Sequence, residues 1–245
     1  RQEKKNGGAF TGSYDDIPKR YYYRSYKAAK DYLHCVRGIS LNVIDRLMSA
    51  GKIYQDTRYN VVFANLDDKG NVGYWCLRGT HKEKKFTRNM AGSNNPFYGF
   101  EVDSKAPSDT LYVFEAPIDL LSHCTISEIK FGKDSWQKEN RLALCGVNDA
   151  ALESYLARHG QGYIKNIKFC LDNDGAGKTA TTKLLKKYYE LGYKTSSIVY
   201  KPNSGKDLNE ALCNYLKADK VMNSKEAPKK DVSQKSTSGK ENLKL

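Results

Sequence analysis

Phe169-Cys170-Leu171-Asp172-Asn173-Asp174-Gly175-Ala176-Gly177 is an apolar run that delivers two carboxylates, one residue apart, into a glycine turn. Ile164 to Leu171 reads as a buried strand. Side chains on an extended backbone alternate faces, so Asp172 and Asp174 are expected to project the same way, with Cα atoms ~6.5 Å apart. Two carboxylates so placed can grip one hard cation, or bracket two metals ~4 Å apart. Oxygen donors favour Mg²⁺ or Mn²⁺ over zinc. The competing reading is a plain turn whose Asp caps a helix starting near Gly177. Gly177-Lys178-Thr179 also looks like the end of a phosphate-binding loop. That loop needs a glycine five residues earlier, where Asp172 stands, and a carboxylate there repels phosphate.

The elements that must hold these carboxylates alternate regularly. Thr110 to Phe114 reads as a short apolar strand ending at Glu115, and Pro117 and Asp119 suit the first turn of the helix that follows. Glu115 is thereby placed at the carboxyl end of a strand, where open α/β sheets bind their ligands. Leu142 to Cys145 reads as a third strand entering the Gly146-Val147-Asn148 turn, with a helical pattern from Ala150 to Arg158. Gly177 to Leu191 is a further amphipathic helix stopped by Gly192, and Lys194 to Tyr200 a fourth strand. Pro202 and Gly205 mark a loop, after which Asp207 opens a short helix. This order predicts an α/β fold, a mainly parallel sheet with helices on both faces.

Val113-Phe114-Glu115 with Asp119, then Asp172-Asn173-Asp174-Gly175-Ala176-Gly177, then Gly205-Lys206-Asp207-Leu208-Asn209-Glu210, together resemble the Toprim domain. That domain is shared by bacterial-type DNA primases, topoisomerases and some nucleases, and the resemblance covers roughly Thr110 to Leu216. It implies a Rossmann-like sheet and a Mg²⁺ (or Mn²⁺) site made by Glu115, Asp172 and Asp174, with Asp119 and Asp207 as further metal contacts. It also implies that Glu115 helps proton transfer. Two departures stand out. Ala116 follows the Glu where primases usually have Gly, and the D-P-D motif of primases is replaced by Lys206-Asp207-Leu208-Asn209. The latter form resembles the branch found in plasmid, conjugative-element and phage proteins, and it leaves the third metal contact open.

Upstream, Tyr32 to Met48 reads as two short helices, the second stopped at Gly51. Tyr59 to Leu66 and Gly73 to Gly79 read as strands of a hairpin turned at residues 67–71. Phe86 to Arg88 and Tyr98 to Val102 offer further strands. This region resembles the subdomain that precedes Toprim in primases, and more nearly an uncharacterised domain paired with Toprim in mobile-element proteins. The expected organisation is a flexible segment 1–20, a smaller α+β subdomain 21–107, a Toprim domain 108–217 and a disordered Lys/Ser-rich tail 218–245. A groove between the halves would be lined by Arg78, Lys82, Lys84, Lys85 and Arg88 for a nucleic-acid strand; the alternative is a solvated basic hairpin. Lys178 and Lys206 are candidate nucleotide phosphate contacts.

The chain has 245 residues and a net charge of +13, of which residues 218–245 contribute only +3. The folded part is itself basic, which favours polyanions. The six cysteines form no C-x-x-C and no pairing with histidine, which argues against zinc, and several lie in apolar strands as reduced thiols would. No apolar run approaches the ~20 residues of a membrane span. A cytoplasmic bacterial protein is expected, with no membrane contact. The chain opens on Arg1, as a fragment would, and the resemblance allows for an upstream zinc-binding module. Tyr21 to Tyr23 and Tyr26, among basic residues, either stack on bases or pack a helix onto the body. Three functions follow from the resemblance. The first is a primase-like nucleotidyltransferase using single-stranded DNA and nucleoside triphosphates, in replication or conjugative transfer with the corresponding partner proteins. The second is a Toprim nuclease, and the third a DNA-binding recruitment module without catalysis.

Overall fold

The structure is a computed structural model, and it describes residues 26–66, 72–81, 87–89, 99–198, 200–201 and 204–226. Lys27–Asp31 forms α1, which continues as one wider, π-helical turn over Tyr32–Val36; Leu41–Ser49 forms α2. An antiparallel sheet follows, made of β1 (Ile53–Gln55), β2 (Val61–Leu66), β3 (Val72–Arg78) and β4 (Thr87–Asn89), in that order. The hairpin expected there is present as β2 and β3, with Phe63 opposite Cys76.

The second sheet has the order β5-β7-β6-β8-β9. Its strands are β5 (Phe100–Val102), β6 (Thr110–Phe114), β7 (Asn140–Ala143), β8 (Asn166–Cys170) and β9 (Lys194–Ser197). β6 to β9 are mutually parallel and β5 alone is antiparallel. The crossovers are α3 (Pro117–Phe131), α4 (Ala150–His159) and α5 (Gly175–Glu190), and α6 (Leu208–Glu226) closes the fold. The α/β architecture read from the sequence is the one observed.

Period-two alternation puts each strand's side chains into two cores. Leu111, Val113, Ile167 and Phe169 enter one core with Leu152, Tyr155, Leu184 and Tyr188 from α4 and α5. Phe114 and Cys170 enter the other with Leu120, Leu121 and Cys124 from α3 and Leu212 from α6. Ala29, Leu33, Val43 and Ile44 of the first two helices, and Phe63 and Phe100, share this second core. Burial of each such side chain stabilises by about 1.5–3 kcal/mol.

β5, although it precedes residue 107, pairs with β7 of the second sheet. Asn65 of β2 binds the same segment, accepting from the Glu101 N–H at 2.9 Å and donating to the Gly99 carbonyl. The helix opened by Asp207 is long, running to Glu226, so residues 218–226 are helical rather than tail. The third strand ends at Ala143, because Cys145 takes a left-handed backbone (φ 59°) that stops it. The 67–71 turn, Tyr21 to Tyr23, and the segments 1–20 and 227–245 lie outside the described residues, while Tyr26 packs on a small cluster around Trp75.

Candidate metal and nucleotide site

β6 connects through α3 to β7 on one side, and β8 connects through α5 to β9 on the other. Adjacent parallel strands whose connections diverge leave a crevice beyond their carboxyl ends. Phe114 lies opposite Cys170 in the register, so Glu115 and the Asp172 turn emerge side by side at that crevice. Asp119, one turn into α3, and Asp207, at the start of α6, complete the ring.

The carboxylates act on one another across the crevice. Burial pushes Asp172 up to about 7, reinforced by Asp119, Glu115, Asp207 and Asp174. Asp119 is also pushed up to about 7, first by burial and then by Asp207, against the N–H of Asn209 that donates to its Oδ1 at 2.9 Å. Glu115 is raised by burial and by Asp174. All five carboxylates predicted from the sequence are therefore brought together.

Local chemistry explains each placement. Asp174 is the N-cap of α5, its Oδ1 accepting from Gly177 N–H at 2.8 Å, so the capping reading of this turn is correct for Asp174. The cap uses one oxygen and leaves the other. A Cβ on Gly177 would stand 2.1 Å from the carbonyl oxygen of Asp172, so glycine alone lets the first turn of α5 sit against that residue. Asp207 caps α6, accepting from Glu210 N–H at 2.7 Å, while Glu210 accepts from Lys206 N–H at 2.8 Å. Asn173 joins the two turns: its N–H donates to the Lys206 carbonyl at 2.7 Å and its side chain to the Gly205 carbonyl at 3.2 Å.

Three residues escaped the sequence reading. Tyr200 donates to the Leu171 carbonyl at 3.1 Å beneath the Asp172 turn, and burial with the neighbouring Asp119 holds its hydroxyl unionised. Asn209 donates from its side chain to the Arg37 carbonyl (2.8 Å) and to Ser122 Oγ (2.9 Å). Arg37 in turn reaches Asn209 Oδ1 at 3.2 Å and the Tyr32 hydroxyl at 2.8 Å. Arg78 donates to that same hydroxyl at 3.3 Å, which connects the one described side chain of the predicted basic groove to the acidic ring. Only the glycine after Arg37, with φ 69°, hinted at a turn there. Arg37→Ala is expected to cost about 1–3 kcal/mol in urea denaturation, the range for charge-assisted hydrogen bonds, and to raise Asp119 further, because Arg37 is the cation that opposes its burial.

Of the other predicted contacts, Lys178 is exposed on the first turn of α5, beside an open cleft of ≈ 320 Å³ bordered by Asp172 and Asn173. Lys206 is exposed beside Asp207, Nζ to Oδ2 at 4.0 Å. Lys82, Lys84 and Lys85, and the side chain of Arg88, lie outside the described residues.

The donor set consists of hard carboxylate oxygens crowded by like charge, which fits a hard divalent cation such as Mg²⁺ or Mn²⁺ rather than Zn²⁺. In this structure the ring is spread: among the described residues, the trio whose ligand atoms lie within 4.8 Å of one another is Glu101, Asp103 and His159, away from the strand ends. Those oxygens are already engaged, Glu101 by Arg158 at 2.5 Å and Asp103 by the Tyr155 hydroxyl at 2.8 Å.

Residues 112–212 match the family model described as "Toprim-like", and residues 31–106 the model described as "Protein of unknown function (DUF3991)". The chain carries a Toprim-like domain with a DUF3991 domain in front. It is 28% identical over 185 residues to an uncharacterised, plasmid-encoded protein of Bacillus anthracis, pXO2-78, covering 72% of this chain and 52% of that one. It thus spans about half the length of that relative. Among solved structures it is similar to a DnaG primase catalytic domain bound to single-stranded DNA (TM-score 0.53, 17% identity, 83% of this chain and 73% of that one). It is also similar to the primase fragment of the bacteriophage T7 primase-helicase (TM-score 0.50, 19% identity, 91% and 82%). At these identities the likeness is one of fold. Among the described residues no helix is long and apolar enough to cross a membrane.

The raised carboxyls predict a pH dependence. Asp119 and Asp172 bind protons in the folded chain up to about pH 7, whereas unfolded carboxyls release them near ~4. Stability should therefore fall as pH rises between those values, the unfolded state binding fewer protons. Thermal melts are expected to show this slope without divalent cation, a shallower slope in Asp172→Asn, and recovery of the lost stability at pH 7.5 on adding Mg²⁺ or Mn²⁺.

Proposed function

We propose that this chain is a divalent-metal-dependent, primase-like nucleotidyltransferase acting on single-stranded DNA in the replication or conjugative transfer of a bacterial mobile element. The observation that carries the reading is the convergence of Glu115, Asp119, Asp172, Asp174 and Asp207 on one sheet-edge crevice, with the pKa of Asp119 and Asp172 displaced by burial and by one another. The primase fold and the plasmid-encoded relative support the substrate class and the setting.

Glu115, Asp172 and Asp174 would hold Mg²⁺ or Mn²⁺, with Asp119 and Asp207 completing the donor set. Such a cation, when bound, neutralises phosphate charge and favours attack by a hydroxyl. The protein's own groups divide the remaining tasks. Glu115, raised by burial, is suited to exchange a proton with a reacting hydroxyl. Lys178 and Lys206 would supply counter-charge to a triphosphate, and Arg78, with Lys82, Lys84, Lys85 and Arg88, would take the template backbone. Asn173 and Gly177 fix the spacing of the two acidic turns.

The test is incubation with labelled nucleoside triphosphates, a single-stranded template and Mg²⁺ or Mn²⁺. Template-dependent incorporation is the expected result. Shortening of the DNA would assign the site to phosphodiester hydrolysis instead, and tight binding without either reaction would make the chain a recruitment module.

A further inference from the structure

Two cysteines far apart in sequence meet beside the crevice. Cys76, in β3, is 4% exposed. Cys145 follows β7, is partly exposed, and has its Sγ 3.8 Å from Cys76 Sγ. The two thiols are not equivalent. Cys145 is lowered from the usual thiol range by hydrogen bonds from Cys76 and Tyr74, while Cys76 is raised by the shared hydrogen bond and by burial. Cys145 also holds a left-handed backbone (φ 59°), uncommon for a residue other than glycine. The residues on either side of it are fixed to the end of β6: Leu144 N–H donates to the Phe114 carbonyl at 2.8 Å and Gly146 N–H to the Glu115 carbonyl at 3.1 Å.

We propose that Cys76 and Cys145 form an oxidisable dithiol, a modification site at which a low-molecular-weight disulfide converts the pair to a cross-link between the antiparallel sheet and the turn that holds Glu115. Cys145, the less buried of the two residues, attacks as thiolate one sulfur of the oxidant and expels one thiolate. Cys76, losing its proton, then attacks Cys145 Sγ in the mixed disulfide and expels the second. Two electrons pass from the protein to the oxidant, and the two protons leave with the two released thiols. Closing the bond brings the sulfurs from 3.8 Å to the ~2.05 Å of a disulfide, and the turn carrying Gly146 is the mobile partner, because Cys76 lies within a paired strand. Cross-linking is thus transmitted to the main chain of Glu115. This last consequence rests on the cation reading above; the cross-link does not.

The experiment is oxidation of the native chain with glutathione disulfide, alkylation of remaining thiols, and peptide mapping by mass spectrometry. A linked pair of peptides containing Cys76 and Cys145, absent from Cys145→Ser and Cys76→Ala, is expected. Recovery of both as alkylated peptides from oxidised wild-type chain with native circular dichroism would overturn the proposal, as would linkage of either to another cysteine. Divalent-cation binding is then compared in reduced and oxidised chain by calorimetry, and a loss of at least tenfold in affinity on oxidation is expected, reversed by dithiothreitol. Cross-linking with unchanged affinity would sink the link to Glu115 and leave the dithiol. No cation binding in the reduced chain would instead count against the metal site itself.

Discussion

Asp172→Asn is expected to lower the proposed metal-dependent turnover by at least about a hundredfold, the usual loss when one electrostatic contact to a reacting centre is removed, with the circular dichroism spectrum unchanged. The substitution keeps the size of the side chain and removes the charge that Asp119, Glu115, Asp207 and Asp174 all oppose. Because that charge is costly in the folded chain, the variant is expected to melt at a higher temperature than the wild type at pH 7.5 without cation. Stability gained while chemistry is lost is the mark of a group kept for its reaction rather than for the fold. Glu115→Gln should lose turnover similarly. Wild-type turnover in either variant, on whichever substrate the chain processes, would remove the ring from the mechanism.

Gly177→Ala is the second large effect. Alanine normally favours a helix over glycine, yet here its Cβ meets the Asp172 carbonyl oxygen at 2.1 Å and that residue's carbonyl carbon at 2.8 Å. Backbone cannot yield as a flexible side chain does, so the first turn of α5 must move away from the Asp172 turn. A cost of about 1–3 kcal/mol is expected, with cation affinity lost in parallel because Asp174 caps this turn. Gly175→Ala is the control: nothing lies within 4 Å of its Cβ position, and no loss is expected in chemical denaturation. Equal behaviour of the two variants would show that the close approach at Gly177 is unimportant.

Much of this site was legible because its signals are local. Apolar runs ending in Glu115 and Asp172, with Pro117 after the first and Gly175 and Gly177 after the second, fix strand ends within a few residues, and parallel strands place their carboxyl ends along one edge. Asp207 could be read from the loop chemistry of Pro202 and Gly205. What stayed hidden is held by contacts distant in sequence. Asn209 meets Arg37 across 172 residues, and neither residue type carries periodicity or turn chemistry that marks such a partner. Asn173 bonds to the opposite turn, a contact that only the fold shows. α6 was read too short because its outward residues are those of a solvated tail, and the hydrophobic positions that hold it, such as Leu212, are sparse. β5 was read as part of the first half because chain order, not pairing, is what a sequence displays.

The placement of β5 also bears on how such chains can be inherited. The family-model matches end at residue 106 and resume at 112, which invites exchange of one half for another at that seam. A second half without β5 would carry an open β7 edge, and a first half without α3 would leave Ile39, Val43 and Ile44 without the helix they pack on. Bare strand edges and bare apolar faces promote aggregation. A hybrid joined at this seam is therefore expected to aggregate unless it also carries its partner's β5 or α3.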